Sequence, residues 1–171
     1  MTVPTLRTDR LVLRAPALRD ARAVTKALND FAVSRWLTVV PFPYGMTDAE
    51  WFIKGCMRGD FRAWFIWSGD QFVGTIGLDD SLGYWIAKDA WGQGFATEAA
   101  RAVLAHHFAT TDADAVTSTH FEGNAGSRNV LTKLGFQDVG GFVQFSKARG
   151  ENVPCRSMRL TKERWQALCD G

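Results

Sequence analysis

The sequence predicts an α+β fold: a mostly antiparallel twisted sheet flanked by helices, built as one domain over residues 1–171. Three observations carry this expectation. Apolar, β-rich runs between residues 63 and 87 follow one another through connections too short for a crossover, so they pair antiparallel. After Ala87 the apolar period changes from two to about 3.6, the mark of a helix packed on that sheet. The 171 residues contain no repeats, linkers or low-complexity segments, which suits one core.

Arg10–Arg14 alternates and reads as the first strand. Asp20 caps a helix through about Asn29, whose apolar stripe is Ala23, Val24, Ala27 and Leu28. A short helix follows around Asp30–Leu37. Pro41 and Pro43 then force an extended loop as far as Gly45. Thr47 and Glu50 form a capping-box pattern that opens a helix through about Arg58. Ala63–Trp67 and Gln71–Leu78 flank a hairpin turn at Ser68–Asp70, and Asp79–Ser81 leads into a third strand, Leu82–Ala87. Ala96, Ala99, Ala100, Val103, Leu104 and His107 lie on one face of a helix ending near Phe108. Val116–Phe121 is a strand, Ser127–Leu134 a helix, and Gly135 its stop. Phe142–Lys147 and Cys155–Leu160 read as closing strands, and Thr161–Trp165 as a terminal helix.

Hydrophobic residues make up 46% of the chain, and 20 basic against 18 acidic side chains leave a net charge of +2. That balance gives no electrostatic case for nucleic acid or a membrane surface as partner. No run of about 18 apolar residues is present, and the start of the chain has no signal-peptide pattern. Cys56, Cys155 and Cys169 are scattered, without metal-ligand spacing, so no metal is expected and the cytoplasm is the expected compartment.

The chemistry centres on Trp91-Gly-Gln-Gly-Phe-Ala-Thr97, between a strand and a helix. Gly92 and Gly94 remove side chains where phosphates would collide, and the helix N-terminus adds unpaired amides and partial positive charge, an arrangement suited to a diphosphate. A loop that only turns the chain is the plainer alternative. No Lys follows the second glycine, which excludes a Walker loop. Thr97 stands where a dinucleotide fingerprint needs its third glycine, and the preceding strands are antiparallel.

Residues Leu82–Ala100, with this loop at their centre, resemble the pyrophosphate-loop motif of the GNAT superfamily of N-acetyltransferases. Within it they look like the group related to the ribosomal-protein N-terminal (Rim-type) acetyltransferases. Asn124–Phe136 looks like that group's second motif, and Thr5–Arg14 is similar to its opening strand. The resemblance implies a GNAT-like fold, acetyl-CoA as acetyl donor and a primary amine as acceptor, here a protein or peptide N-terminal α-amine. A homodimer is compatible with it. It further implies that the backbone of Trp85, Ile86 and Ala87 runs beside the pantetheine arm. Gly92, Gln93, Gly94, Phe95, Ala96 and Thr97 would hold the pyrophosphate, Asn124 the pantetheine, with Ser127 and Asn129 along the coenzyme's other side. Many superfamily members carry a Tyr four residues after the Ser127 position as acid for the departing thiolate. Here Leu131 stands there, as in the Rim-type group, and Ser127 is then the proton donor. Ser81 replaces the Glu that the group often has before Leu82.

The amine must lose a proton to something. His120, near the end of the strand leading to Asn124, titrates in the useful range, but a histidine bonded on a sheet face reads equally well. Asp79 and Asp80 are turn formers, Glu98 complements the helix dipole, and His106 and His107 lie far from the phosphate end. Ser127 also reads as a helix N-cap, and Asn124 as a turn residue. Trp36, Phe42, Tyr44, Trp51, Phe52, Phe61 and Trp64 supply either an acceptor wall or core. Two other functions fit the same loop: acetylation of a small amine, and a non-catalytic acyl-CoA-binding module.

Overall fold

In the computed structural model, which describes residues 2–171, one eight-stranded sheet runs in the order β1-β2-β3-β4-β5-β6-β8-β7. Its strands are β1 (Leu6–Arg7), β2 (Val12–Arg14), β3 (Ala63–Ser68), β4 (Gln71–Leu78), β5 (Ser81–Ile86), β6 (Ala115–Phe121), β7 (Gln137–Ser146) and β8 (Glu151–Thr161). Helices α1 (Ala21–Leu28), α2 (Phe31–Ser34) and α3 (Met46–Arg58) fall between β2 and β3. The helix α4 (Phe95–Thr110) joins β5 to β6, α5 (Ala125–Leu134) joins β6 to β7, and α6 (Lys162–Asp170) ends the chain. The expected α+β architecture is present, and the pairs are antiparallel except β5–β6. Among the described residues, no helix is long and apolar enough to cross a membrane.

Strand alternation divides the apolar side chains between two layers. On one face, Leu11, Leu13, Trp64, Ile66, Val73, Ile76 and Leu82 pack against Ala99, Ala100, Val103, Leu104 and Phe108 of α4 and Leu131 and Leu134 of α5. On the other, Phe65 meets Val24, Leu28, Val33, Tyr44, Ala49 and Ile53 of the α1–α3 region. Each fully buried large apolar side chain contributes about 1.5–3 kcal/mol. Two glycines are required by the geometry here. Gly69 turns the β3–β4 hairpin at φ 58°, and Gly135 ends α5 at φ 100°.

Several local expectations shift. A short strand, β1, pairs with β2 (Leu6↔Leu13) where only one strand was predicted. Asp20 does not cap α1 with its side chain. Its carboxylate pairs with Arg14 at 2.8 Å and accepts from the Ala17 amide at 3.0 Å, because a buried charge binds the strongest donors within reach. The α3 capping box lies two residues earlier than Thr47 and Glu50: the Gly45 amide donates to Asp48 Oδ2 at 2.9 Å. Ser127 is not a cap either. Asn124 holds that place, its Oδ1 accepting from the Ser127 amide at 3.2 Å. The closing strands β7 and β8 extend well beyond their predicted limits, each satisfying the other's backbone groups.

Candidate active site

Strands β5 and β6 pair over only two positions, Ser81↔Thr117 and Leu82↔Ser118. Side chains reinforce that junction: Ser118 Oγ donates to the Leu82 carbonyl at 2.7 Å and Ser81 Oγ to the Thr117 carbonyl at 3.1 Å. Beyond it the strands part. Gly83–Ile86 keeps its β4 partners while its other edge has no ladder partner, and Thr119–Phe121 pairs with β8 alone. The result is a wedge through the middle of the sheet.

At the wide end of β5, Trp85, Ile86 and Ala87 lead towards the glycine loop. The Ala87 amide donates to the Val73 carbonyl at 2.8 Å, and Trp91 Nε1 donates to the Ile86 carbonyl at 2.7 Å, which anchors the loop's first residue. Gly92 and Gly94 take φ of 74° and 77°, conformations that side chains resist. Gly94 is the N-cap of α4 without any side-chain cap, so the first amides of that helix, from Phe95 to Thr97, remain without a cap partner. Gly92, Gln93 and Gly94 are exposed, whereas Phe95 is buried. The cradle thus fits an anionic phosphate group.

An arginine that the sequence reading did not single out braces this loop. Arg10 donates to the Gln93 carbonyl at 2.8 Å, lies 4.5 Å over the Phe95 ring and pairs with Glu98 at 2.6 Å. Glu98 also accepts from Thr8 Oγ1 and the Arg10 amide. Burial pushes its carboxyl up, but the bonds from Thr8 and Arg10 outweigh that and hold it below the usual glutamate range. It serves as a tie between the first hairpin and α4. Asp79 is likewise engaged, accepting from the Arg62 amide at 3.1 Å. His106 stands edge-on to Trp64, and burial pushes the His107 imidazole down.

The second motif divides into two groups. Ser127 turns towards β5, where its Oγ lies 3.0 Å from the Tyr84 hydroxyl; that hydroxyl also lies 3.3 Å from the Ser127 carbonyl. Burial pushes the Tyr84 hydroxyl up to about 12, against the lowering effect of its bond with Ser127. Leu131 is fully buried in the core. On the other side of α5, His120, Asn124 and Asn129 line an open cavity of about 690 Å³ together with Glu122, Arg128, Asp138 and Arg156. His120 is 7% exposed and its Nδ1 meets the Phe121 carbonyl at 2.9 Å, which leaves Nε2 for another partner. Arg156 bonds Asp138 at 2.5 Å and holds its carboxyl below the ordinary aspartate range. Among the described residues no hydrogen bond joins His120 to Ser127.

Tyr84 is the main residue missed. Its signal was present in the β5 alternation, which puts Leu82, Tyr84 and Ile86 on the face of α4 and α5 and Trp85 on the opposite one. The aromatic segment also divides. Tyr44 and Phe52 belong with the α1–α3 core, Trp51 is exposed, and Trp64 packs on the α4 face with its Nε1 bonded to the Pro4 carbonyl. Trp64 is therefore no part of an acceptor wall. Trp36 packs against the cluster of Phe121, Val153 and Cys155, and the Arg149 guanidinium lies 5.0 Å from the Trp36 ring and 5.2 Å from the Phe121 ring. The Arg149 Nε also donates to the Arg35 carbonyl at 2.6 Å, so the β7–β8 turn is clasped to the end of α2.

Residues 10–137 match the acetyltransferase (GNAT) domain family. An uncharacterized N-acetyltransferase, p20, of Bacillus licheniformis is 25% identical, with 94% of this chain and 98% of that protein covered. Mycobacterium smegmatis RimJ, solved in complex with CoA-disulfide, superposes with a TM-score of 0.76 at 24% identity over 95% of this chain and 88% of that one. The Salmonella typhimurium acetyl transferase that modifies the N-terminal serine of ribosomal protein L7/L12 gives a TM-score of 0.78 at 16% identity, over 92% and 99%.

Proposed function

The chain belongs to the GNAT acetyltransferase family and is an acetyltransferase that works with acetyl-CoA, and we propose that its acceptor is the N-terminal α-amine of a protein or peptide. The state of the candidate bases carries this reading. Glu98 and Asp79 are both engaged in structural bonds, whereas His120 Nε2 is free to act and opens onto a cavity, and in this reading it is the base. An α-amine titrates about 2.4 units below a lysine, a difference of roughly 3.3 kcal/mol in deprotonation near neutral pH. A single imidazole, linked through water, suffices for the first and serves the second poorly. The N-terminal activity in the name of the Salmonella neighbour supports the same acceptor.

In this reading the uncapped amides from Phe95 to Thr97 and the bare backbone at Gly92 and Gly94 hold the pyrophosphate, with Gln93 alongside. The open β5 edge at Trp85, Ile86 and Ala87 and the Asn124 side chain hold the pantetheine, with Asn129 further along. The coenzyme supplies an activated acetyl thioester. His120, across α5 from Ser127, receives the proton of the attacking amine through water, and Ser127 Oγ supplies one to the departing sulfur. Aromatics of the α1–α3 face, the half-buried Trp36 among them, line the acceptor's approach. The three cysteines form no disulfide, which suits a reducing cytoplasm.

Coenzyme thiol release with an unblocked peptide, an Nα-blocked lysine peptide and free amino acids tests the acceptor. The unblocked peptide is expected to react fastest; preference for the blocked lysine peptide refutes the reading. Ser127→Ala should lower turnover by about 10² while leaving coenzyme affinity near normal. Unchanged turnover removes Ser127 from the chemistry. The charged cavity at Glu122, Asp138 and Arg128 favours a second reading, a small zwitterionic amine as acceptor. Faster reaction with free amino acids than with any peptide would establish it.

A further inference from the structure

The contact between Tyr84 and Ser127 ties the open edge of β5 to the first turn of α5. The phenol comes from β5, 43 residues earlier in the chain, and its oxygen lies 3.0 Å from Ser127 Oγ. A serine hydroxyl has one proton and two lone pairs, and a phenol has one proton. The serine proton is free for a ligand when Tyr84 O–H donates to Ser127 Oγ or to the Ser127 carbonyl alone, but only the first also fixes where that proton points. In the reverse arrangement Tyr84 donates to the Ser127 carbonyl at 3.3 Å and Ser127 spends its only proton on the phenol. The shorter of the two separations is the one to Oγ, and the half-buried tyrosine, pushed up to about 12, stays protonated throughout the working range of an enzyme. Ser127 has a second constraint, since its amide is held by Asn124 Oδ1.

We propose that Tyr84 is a positioning residue which, by donating its hydroxyl hydrogen to Ser127 Oγ, turns the Ser127 proton towards the coenzyme sulfur in the wedge between β5 and β6. The proposal rests on the reading of Ser127 as proton donor. As the new N–C bond forms and the C–S bond breaks, the sulfur takes the Ser127 proton. The proton lost by the amine returns through solvent to Ser127, and Tyr84 keeps its own. The buried leucine at 131 gives this arrangement a structural reason. With no hydroxyl on α5 one turn beyond Ser127, the neighbouring strand supplies the group that orients the donor.

A double-mutant cycle tests it, with kcat and KM for acetyl-CoA and calorimetric coenzyme A affinity measured for Y84F, S127A and the double variant. Y84F should lower kcat about tenfold, the weight of one well-made hydrogen bond, with affinity unchanged. In the S127A background the same change should alter kcat less than twofold. Equal loss in both backgrounds overturns the proposal, as does a Y84F enzyme with full turnover. If S127A keeps full turnover while Y84F loses it, Ser127 is not the donor and Tyr84 acts directly, which also overturns it. Should Y84F fail to hold coenzyme A, 3,5-difluorotyrosine at position 84 keeps the shape with a stronger donor. Its kcat should equal or exceed that of the parent, and a lower kcat reverses the direction of the bond and refutes the idea.

Discussion

Replacing Gly74 by alanine should damage the site without touching a loop or a catalytic group. Gly74 lies in the middle of β4, opposite Ile86, and the Trp85 carbonyl is turned over it. A Cβ added there would sit 2.1 Å from that oxygen and 3.0 Å from the Ile86 Cα, where carbon atoms essentially never come nearer than 3.0 Å. The nearest atoms are backbone, so no rotamer can relieve the overlap. The end of β5 must move by about 1 Å, and displacement on that scale can cost about 10² in rate when reacting groups are misplaced. Gly74→Ala should therefore lower kcat/KM for acetyl-CoA by about 10² and stability by about 2–3 kcal/mol, read by thiol release, coenzyme A calorimetry and urea unfolding. Gly83, the next strand's glycine, has nothing within 4 Å of an added Cβ and is the control for stability: Gly83→Ala should leave urea unfolding close to that of the parent. Equal losses of stability at the two positions, or a wild-type Gly74→Ala enzyme, would refute the reasoning that β5 is placed by this close approach.

Glu98→Gln should destabilise the fold by about 1–2 kcal/mol, read as a fall of some 2–8 °C in Tm, because it dissolves the ion pair and weakens the bonds from Thr8 and Arg10. The Glu98 carboxyl is held below its ordinary value of 4.5, so its contribution is complete above that pH and lost as the pH falls through the lower folded value. The stability gap between parent and E98Q should accordingly narrow between pH 6 and pH 3; a gap that widens on acidification would exclude the pair as its source. Leu131→Tyr should fail to speed turnover and should cost about 1–3 kcal/mol by overpacking, since that position is fully buried; a faster enzyme in the thiol assay would contradict this. Asn124→Ala should cost about 1 kcal/mol through the lost cap, whereas Asn124→Asp should retain most of that stability. Equal melting temperatures for the two variants would show that capping is not what holds α5.

What the sequence made legible was local. The helix α4 and its glycine loop could be read because a glycine pair, a helix start and an apolar stripe all lie within twenty residues. The closing strand pair was underestimated, since β7 is exposed over nearly its whole length and carries no alternating pattern to read. Cap positions slipped where two formers compete within one turn. Asn124 and Ser127 each suit an N-cap, and so do Gly45 and Thr47, but only the position at which the chain leaves its previous contacts decides between them. The site's own architecture was the least legible. Arg10 meets Glu98 across 88 residues and Tyr84 meets Ser127 across 43, contacts created by the order of strands in the sheet and invisible to any window on the chain. Alternation placed Trp64 and Phe65 on opposite faces, yet it could not say which face the acceptor would use.

The short parallel junction between β5 and β6 has a thermodynamic consequence of its own. Five strands lie in chain order on one side and three on the other, and only two residue pairs of ladder connect them. A ligand lodged in the gap offers hydrogen-bond partners to edges that the chain leaves unmated, so it serves as the missing rungs. Occupancy and cohesion are then the same equilibrium seen from two sides. Ligand at a hundredfold excess over Kd adds about 2.7 kcal/mol to the free energy of unfolding, and it does so at the seam where the protein supplies least of its own. If the coenzyme lies there as proposed, amide protons along Gly83–Ile86 and Thr119–Phe121 should exchange most slowly in the loaded protein and most readily in the empty one, and the coenzyme would be, in effect, a removable strand.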